Sequence, residues 1–238
     1  MVGLQCYPYY MPVYRLIDEI IFPPPERAGP DGLLAVGGDL SSERLLLAYK
    51  LGIFPWYSEG QPILWWSPDP RLVLEPDGFH ISRRLGRILK QGTFKVTFDR
   101  AFASVIRACA SVPREGQDGT WITPEMQRAY IRLHEEGFAH SVESWLDGGL
   151  AGGIYGVSLG KCFFGESMFS CKSNASKVAL AALVERLKAW GFPMLDAQVT
   201  THHLLSLGAK EIPRSVFLKR LREALSFPTV QGKWPADV

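Results

Sequence analysis

The chain has 238 residues, 47% of them hydrophobic, which is enough for one large domain or two modest ones with a real core. A formal net charge of +2 sets up no global basic field, so any nucleic-acid contact must be a local patch, and no apolar window approaches a membrane span. The cysteines Cys6, Cys109, Cys162 and Cys171 form no C-x-x-C and the N-terminus has no charged or long apolar leader, so the expectation is a soluble cytoplasmic protein with reduced thiols.

Proline and glycine punctuate residues 1–71, through Phe22-Pro23-Pro24-Pro25, Gly37-Gly38-Asp39, Phe54-Pro55-Trp56 and Trp66-Ser67-Pro68-Asp69-Pro70-Arg71. The only clear helix there spans 42–51, capped by Ser41 or Ser42 and stopped by Gly52. From residue 72 the pattern turns regular. A strand at 72–75 is followed by a helix near 82–90, a strand at 94–98 and a helix at 100–109. Thr123-Pro124-Glu125 opens another helix with a cap, a proline at the first helical position and an acid in the first turn, and Gly137 closes it. Strands follow at 140–146, 150–158 and 161–169, then a helix at 174–190, a strand at 193–199 and a last helix at 214–225. Three consecutive strands, a crossover helix and a further strand predict a mixed sheet in the order of GNAT-type transferases. The expected architecture is α+β, with a small irregular, aromatic-rich domain over 1–71 and a GNAT-like domain over 72–238.

Several chemistries are excluded by what is missing. There is no G-x-x-x-x-G-K-[ST] loop for ATP and no H-E-x-x-H, and the adjacent His202 and His203 are poorly spaced for one metal. The turn Phe169-Ser170-Cys171-Lys172-Ser173-Asn174 lacks the glycines that would let a pyrophosphate approach the backbone, which disfavours coenzyme A. No cofactor and no metal are expected.

Three features remain. Tyr49, Phe54, Trp56, Tyr57, Trp65 and Trp66 crowd a loop-rich stretch, where they either build a core or wall a pocket for a base or an apolar side chain; Trp121 and Met168 are further wall candidates. Arg83, Arg84, Arg87, Lys90 and Lys95 occur without an intervening acid, and Arg83, Arg87 and Lys90 share one helical face. That face is either simply solvated or a phosphate-backbone footprint. Finally, Glu166 in Gly165-Glu166-Ser167-Met168-Phe169 and Asp196 and Gln198 in Leu195-Asp196-Ala197-Gln198-Val199 put two carboxylates and an amide on apolar strands, with Asp196 and Gln198 on the same face. A buried carboxylate costs several kcal/mol unless it is paired or used, so Asp196 is either satisfied by core partners or functional.

The segments Gly37-Gly38-Asp39-Leu40, Gly52-Ile53-Phe54-Pro55-Trp56, Leu64-Trp65-Trp66-Ser67-Pro68-Asp69-Pro70-Arg71, His80-Ile81-Ser82-Arg83, Gly119-Thr120-Trp121-Ile122-Thr123, Gly165-Glu166-Ser167-Met168-Phe169-Ser170 and Asn174-Ala175-Ser176-Lys177 together resemble the bacterial leucyl/phenylalanyl-tRNA–protein transferases. The resemblance runs in the same order from about residue 22 to 222. It implies transfer of Leu or Phe from Leu-tRNA or Phe-tRNA to the N-terminal Arg or Lys of a protein, creating an N-degron. On matching positions it implies a catalytic set of Asp196, Gln198 and Glu166, with Glu166 helping to hold the acceptor. It also implies an aminoacyl-adenosine pocket of Tyr49, Trp56, Trp121, Ile154 and Met168, and tRNA contacts from Arg83, Arg84, Arg87 and Lys90. Ile154 stands where many relatives carry Met. The alternatives are a different GNAT-type aminoacyl or acyl-CoA transferase, and a non-enzymatic module that binds RNA ends or basic N-termini.

The implied chemistry needs no further parts. An aminoacyl ester is already activated, so aminolysis requires only a deprotonated amine and a stabilised oxyanion. An α-amine titrates near ~8, which leaves some free base at neutral pH. Asp196 is expected to position that amine and collect its proton, Gln198 to orient the carboxylate or donate to the developing charge, and Glu166 to add a second negative charge that suits a cationic acceptor.

Overall fold

In the computed structural model, described for residues 13–112 and 120–235, the first third of the chain builds a small sheet of its own. Its strands are β1 (Tyr14–Leu16), β2 (Leu33–Gly37), β3 (Phe54–Pro55) and β4 (Leu64–Trp66), in the spatial order β1-β2-β4-β3. Among the described residues its only α-helix is α1 (Ser42–Lys50), capped where the Ser41 hydroxyl accepts from the Arg44 N–H. The sequence reading left these strands irregular. They are two to five residues long, too short for any hydrophobic period to register.

The remainder forms β5 (Arg71–Leu74), α2 (Arg83–Gln91), β6 (Lys95–Phe98), α3 (Phe102–Ser111), α4 (Pro124–Glu135), β7 (Ala139–Leu146), β8 (Gly149–Leu159), β9 (Cys162–Ser170), α5 (Ala175–Ala189), β10 (Met194–Gln198), α6 (His202–Ser206), β11 (Lys210–Ile212) and α7 (Arg214–Leu225). Every element expected from residue 72 onward is present, within a few residues of its expected bounds. The short α6 and β11 were not anticipated. As expected, Thr123 caps α4 by accepting from the Met126 N–H, with Pro124 at its first position.

Seven strands make one mixed sheet in the order β11-β5-β10-β9-β8-β7-β6. All neighbours are antiparallel except β9 and β10, which run parallel because α5 carries the chain across between them. The α+β class and the strand–helix–strand order therefore match the expectation. Alternation along the strands sends Tyr155, Phe164 and Met194 into one core with α1, α3, α4 and α7, and sends Ile154, Phe163 and Leu195 into a second core under α5. The first core is continuous with the small N-terminal sheet, through Leu34, Tyr49 and Trp65. After α7 the chain returns over the second core, where Trp234 is buried against His140, Phe163 and Trp190.

Candidate active site

The site arises where two strands part. β9 and β10 pair from Cys162–Met194 to Phe164–Asp196 and no further. At that point β9 bulges: Gly165 opposes Gly156 and Ser167 opposes Tyr155, leaving Glu166 without an opposite number on β8. A bulge bends its strand and re-aims the extra side chain. The tight approach requires Gly156, since a Cβ there would lie 2.1 Å from the Phe164 carbonyl oxygen. On the other side β10 shifts register against β5 between Asp196 and Gln198, and Gln198 takes a left-handed φ of 56°. The separated strands leave a cavity of about 680 Å³ between them. That volume lies within the ~300–1,000 Å³ usual for small-ligand sites.

The cavity is mostly apolar. Ile154, Met168, Leu180 and Leu195 line it from the side of α5, and Phe54, Trp56 and Trp121 from the other. The polar groups that reach it converge on Glu166. The Tyr49 hydroxyl donates to Glu166 Oε1 at 2.7 Å, the Tyr130 hydroxyl to Oε2 at 3.1 Å, and the Gln198 Nε2 to Oε1 at 3.2 Å. The Tyr49 and Tyr130 hydroxyls also lie against each other, so the two phenols share their two protons among three contacts. Burial, with the carboxylate next to them, lifts both phenols well above their usual range, so they stay protonated donors. For Glu166, burial is the largest influence and pushes it up to about 7; Asp196 adds to the rise, while the two phenols and Arg71 oppose it.

Asp196 is fully buried and is not among the residues lining the cavity. Arg71, also fully buried, grips it with a fork, Nε to Oδ1 at 2.8 Å and Nη2 to Oδ2 at 2.6 Å. The Gln198 backbone N–H donates to the same Oδ1 at 3.0 Å. Arg71 in turn donates to the Gly52 carbonyl at 3.2 Å and sits between the rings of Phe54 and Phe217. A chain of contacts thus runs from Arg71 through Asp196 to the backbone of Gln198, and from its side chain to Glu166.

Similarity to known proteins decides the family. A model of the leucyl/phenylalanyl-tRNA protein transferase matches residues 73–222, and one of that protein's N-terminal domain matches residues 38–69. The chain belongs to the leucyl/phenylalanyl-tRNA protein transferase family. The transferase of that name from Desulfatibacillum aliphaticivorans is 62% identical over 227 residues, covering 95% of this chain and 97% of its own. That from Syntrophobacter fumaroxidans is 63% identical over 227 residues, with the same coverage. Among solved structures, a ribosomal-protein-alanine N-acetyltransferase from Brucella melitensis biovar Abortus superposes with a TM-score of 0.34 at 12% identity, covering 61% of this chain and 97% of its own.

Of the residues singled out in the sequence of this family member, Glu166, Gln198, Trp56, Trp121, Ile154 and Met168 all line the one cavity. Tyr49 reaches it through its hydroxyl, and Asp196 stands behind it. The aromatic cluster divides: Trp65 and Tyr57 are core, with the Trp65 Nε1 donating to the Gly37 carbonyl at 2.8 Å, whereas Phe54 and Trp56 are wall. Arg83, Arg84, Arg87 and Lys90 are exposed on α2, and none of them forms an ion pair among the described residues. Sequence reasoning missed Arg71, Tyr130 and His203. Arg71 closes a recognised motif, but its partner lies 125 positions away; Tyr130 looks like one more core residue of an amphipathic helix. His203, read as an ordinary helix-start or surface histidine, is exposed in the first turn of α6 and also lines the cavity, where burial and then Lys177 hold it below its usual range. Of the cysteines, Cys109 and Cys162 are buried and Cys171 exposed, while Cys6 falls outside the described residues, as does Gly119 beside Trp121. No helix among the described residues is long and apolar enough to cross a membrane.

Proposed function

We propose that this protein transfers leucine or phenylalanine from Leu-tRNA or Phe-tRNA to the N-terminal Arg or Lys of acceptor proteins, forming a peptide bond and marking the acceptor for degradation. The observation that carries this reading is the cavity between β9 and β10, apolar along one stretch and ending on a single carboxylate. An apolar chamber of that size suits a Leu or Phe side chain with part of a nucleoside, and aromatic walls such as Trp56 and Trp121 suit stacking on a base. The names of relatives near 60% identity agree with the reaction class.

Within that reading Met168, Ile154 and Leu180 face the donor side chain. Gln198, anchored by Asp196, offers its amide to polar groups of the ester or the amine. The negative end of the slot attracts the cationic acceptor. Asp196 acts as a positioning residue, because Arg71 and the Gln198 N–H occupy both of its oxygens. The exposed basic face of α2 meets tRNA phosphates.

The test is incubation with Phe-tRNA or Leu-tRNA and a peptide beginning with Arg, without ATP or coenzyme A, read by mass spectrometry. The expected product is the peptide lengthened by one Phe or Leu. Equal labelling of a peptide beginning with Asp, or a requirement for coenzyme A, would refute the reading.

A further inference from the structure

We propose that Glu166 is the proton acceptor for the attacking amine, and that Tyr49 and Tyr130 are positioning residues that hold its carboxylate for that role. This rests on the reading that the slot performs aminoacyl transfer. Asp196, the other carboxylate in the neighbourhood, is fully buried behind the site, forked by Arg71 and held by the Gln198 N–H, and it does not line the cavity. Among the described residues the cavity lining holds two titratable side chains, Glu166 and His203. Only Glu166 is gripped from several elements at once. Tyr49 approaches from α1, Tyr130 from α4 and the Gln198 amide from β10, while the charges of Asp196 on β10 and Arg71 on β5 act on it from behind.

The bulge explains why it is this residue. A regular β9 would pair position 166 with β8; the extra residue instead aims into the gap left by β10. The three donors fix the carboxylate's orientation but do not exhaust it, because two oxygens offer about four lone-pair sites. Glu166 also lines the slot, which Asp196 does not.

The transfer then balances without any other reactant. The free amine nitrogen forms a C–N bond to the ester carbonyl carbon, and the carbonyl π pair moves onto oxygen. The nitrogen, now cationic, gives one proton to the Glu166 carboxylate. The carbonyl re-forms, the C–O bond to the ribose breaks, and the departing ribose oxygen takes that proton from Glu166. The products are an amide and a free ribose hydroxyl, with Glu166 again ionised. A base whose titration lies near 7 can both take and return a proton at neutral pH, which an ordinary carboxylate near 4.5 does less well.

The signs follow. Glu166 acts in its ionised form, so kcat at saturating donor and acceptor falls as pH drops below about 7. Both phenols favour the ionised form, so Tyr130→Phe raises the titration and moves that acid limb upward, by about one pH unit. Glu166→Gln reduces the limb to the titration of the amine itself, near ~8, and lowers kcat by about 10² or more, beyond any rise in the acceptor KM from the lost charge. A Glu166 that merely attracted a cationic acceptor would instead raise KM and leave kcat intact.

The experiment is the pH profile of kcat and KM for wild type, Tyr130→Phe, Glu166→Gln and His203→Gln, each shown to be folded by circular dichroism and thermal melting. The proposal expects a limb near 7 that shifts in Tyr130→Phe, gives way to the amine's own titration near ~8 in Glu166→Gln, and persists in His203→Gln. A limb unmoved by Tyr130→Phe, lost in His203→Gln, or retained with full kcat in Glu166→Gln overturns it while leaving the transfer reaction standing. Absence of transfer by wild type overturns both.

Discussion

Cutting the Arg71–Asp196 pair should cost stability before it costs chemistry. Asp196→Ala removes two forked hydrogen bonds of 2.8 and 2.6 Å and leaves a fully buried guanidinium with one carbonyl partner at 3.2 Å, between Phe54 and Phe217. Breaking a buried pair from one side costs about 3–5 kcal/mol, because the surviving charge has lost its counterpart. Against a typical total of about 5–15 kcal/mol this is roughly a fifth of the stability or more, so the variant folds at low temperature and melts early. Arg71→Leu should cost a similar amount by stranding the carboxylate. Arg71→Leu combined with Asp196→Ala should cost less than the two single losses added, since no unpaired charge remains, and the coupling should reach about 3 kcal/mol. Urea unfolding followed by tryptophan fluorescence at fixed pH measures all four corners of the cycle. A loss below about 1 kcal/mol for Asp196→Ala, or strict additivity, would show that the pair is hydrated and would refute the picture of a dry prop behind the site.

Other outcomes follow from the same geometry. Met168→Trp should impair Phe transfer more than Leu transfer, because filling an apolar chamber excludes the larger guest first; competition between Phe-tRNA and Leu-tRNA reads this, and equal impairment would return Met168 to a packing role. Replacing Arg83, Arg87 and Lys90 together with Gln should flatten the salt dependence of tRNA affinity by up to about two to three slope units without altering the choice between Leu and Phe. An unchanged slope would leave α2 a solvated surface. Trp234, 2% exposed and stacked on His140 at 4.1 Å, ties the C-terminal return to the second core. Trp234→Ala should cost about 3–5 kcal/mol in urea unfolding, and a loss near zero would mean the return does not seal that core.

The fold was legible wherever local chemistry repeats. Thr123-Pro124-Glu125 announced α4, the glycine-bounded apolar stretches announced β7, β8 and β9, and the helix between two strands announced the one parallel pair. The pocket walls Trp56, Trp121, Ile154 and Met168 were legible through resemblance to a family, since their spacing alone equally suits a core. The bulge was not legible. It is a mismatch in register between two strands, and nothing in Gly165-Glu166-Ser167 distinguishes a bulged residue from a paired one. The pairing of Arg71 with Asp196 was equally hidden, because sequence shows a carboxylate on an apolar strand and not the cation that folding brings across from β5. The sequence reading gives the amine's proton to Asp196 and the acceptor's charge to Glu166; the structure buries Asp196 behind the site and lines the cavity with Glu166.

The central claim is that the gap between β9 and β10 is where an aminoacyl ester meets an amine. The most direct measurement is a crystal structure of this protein soaked with phenylalanyl-adenosine carrying an amide in place of the ester, which cannot be consumed. The account predicts the phenyl ring against Ile154, Met168 and Leu180, and the carbonyl carbon within reach of Glu166 and Gln198. A well-ordered ligand seated elsewhere, with this gap empty, would contradict it.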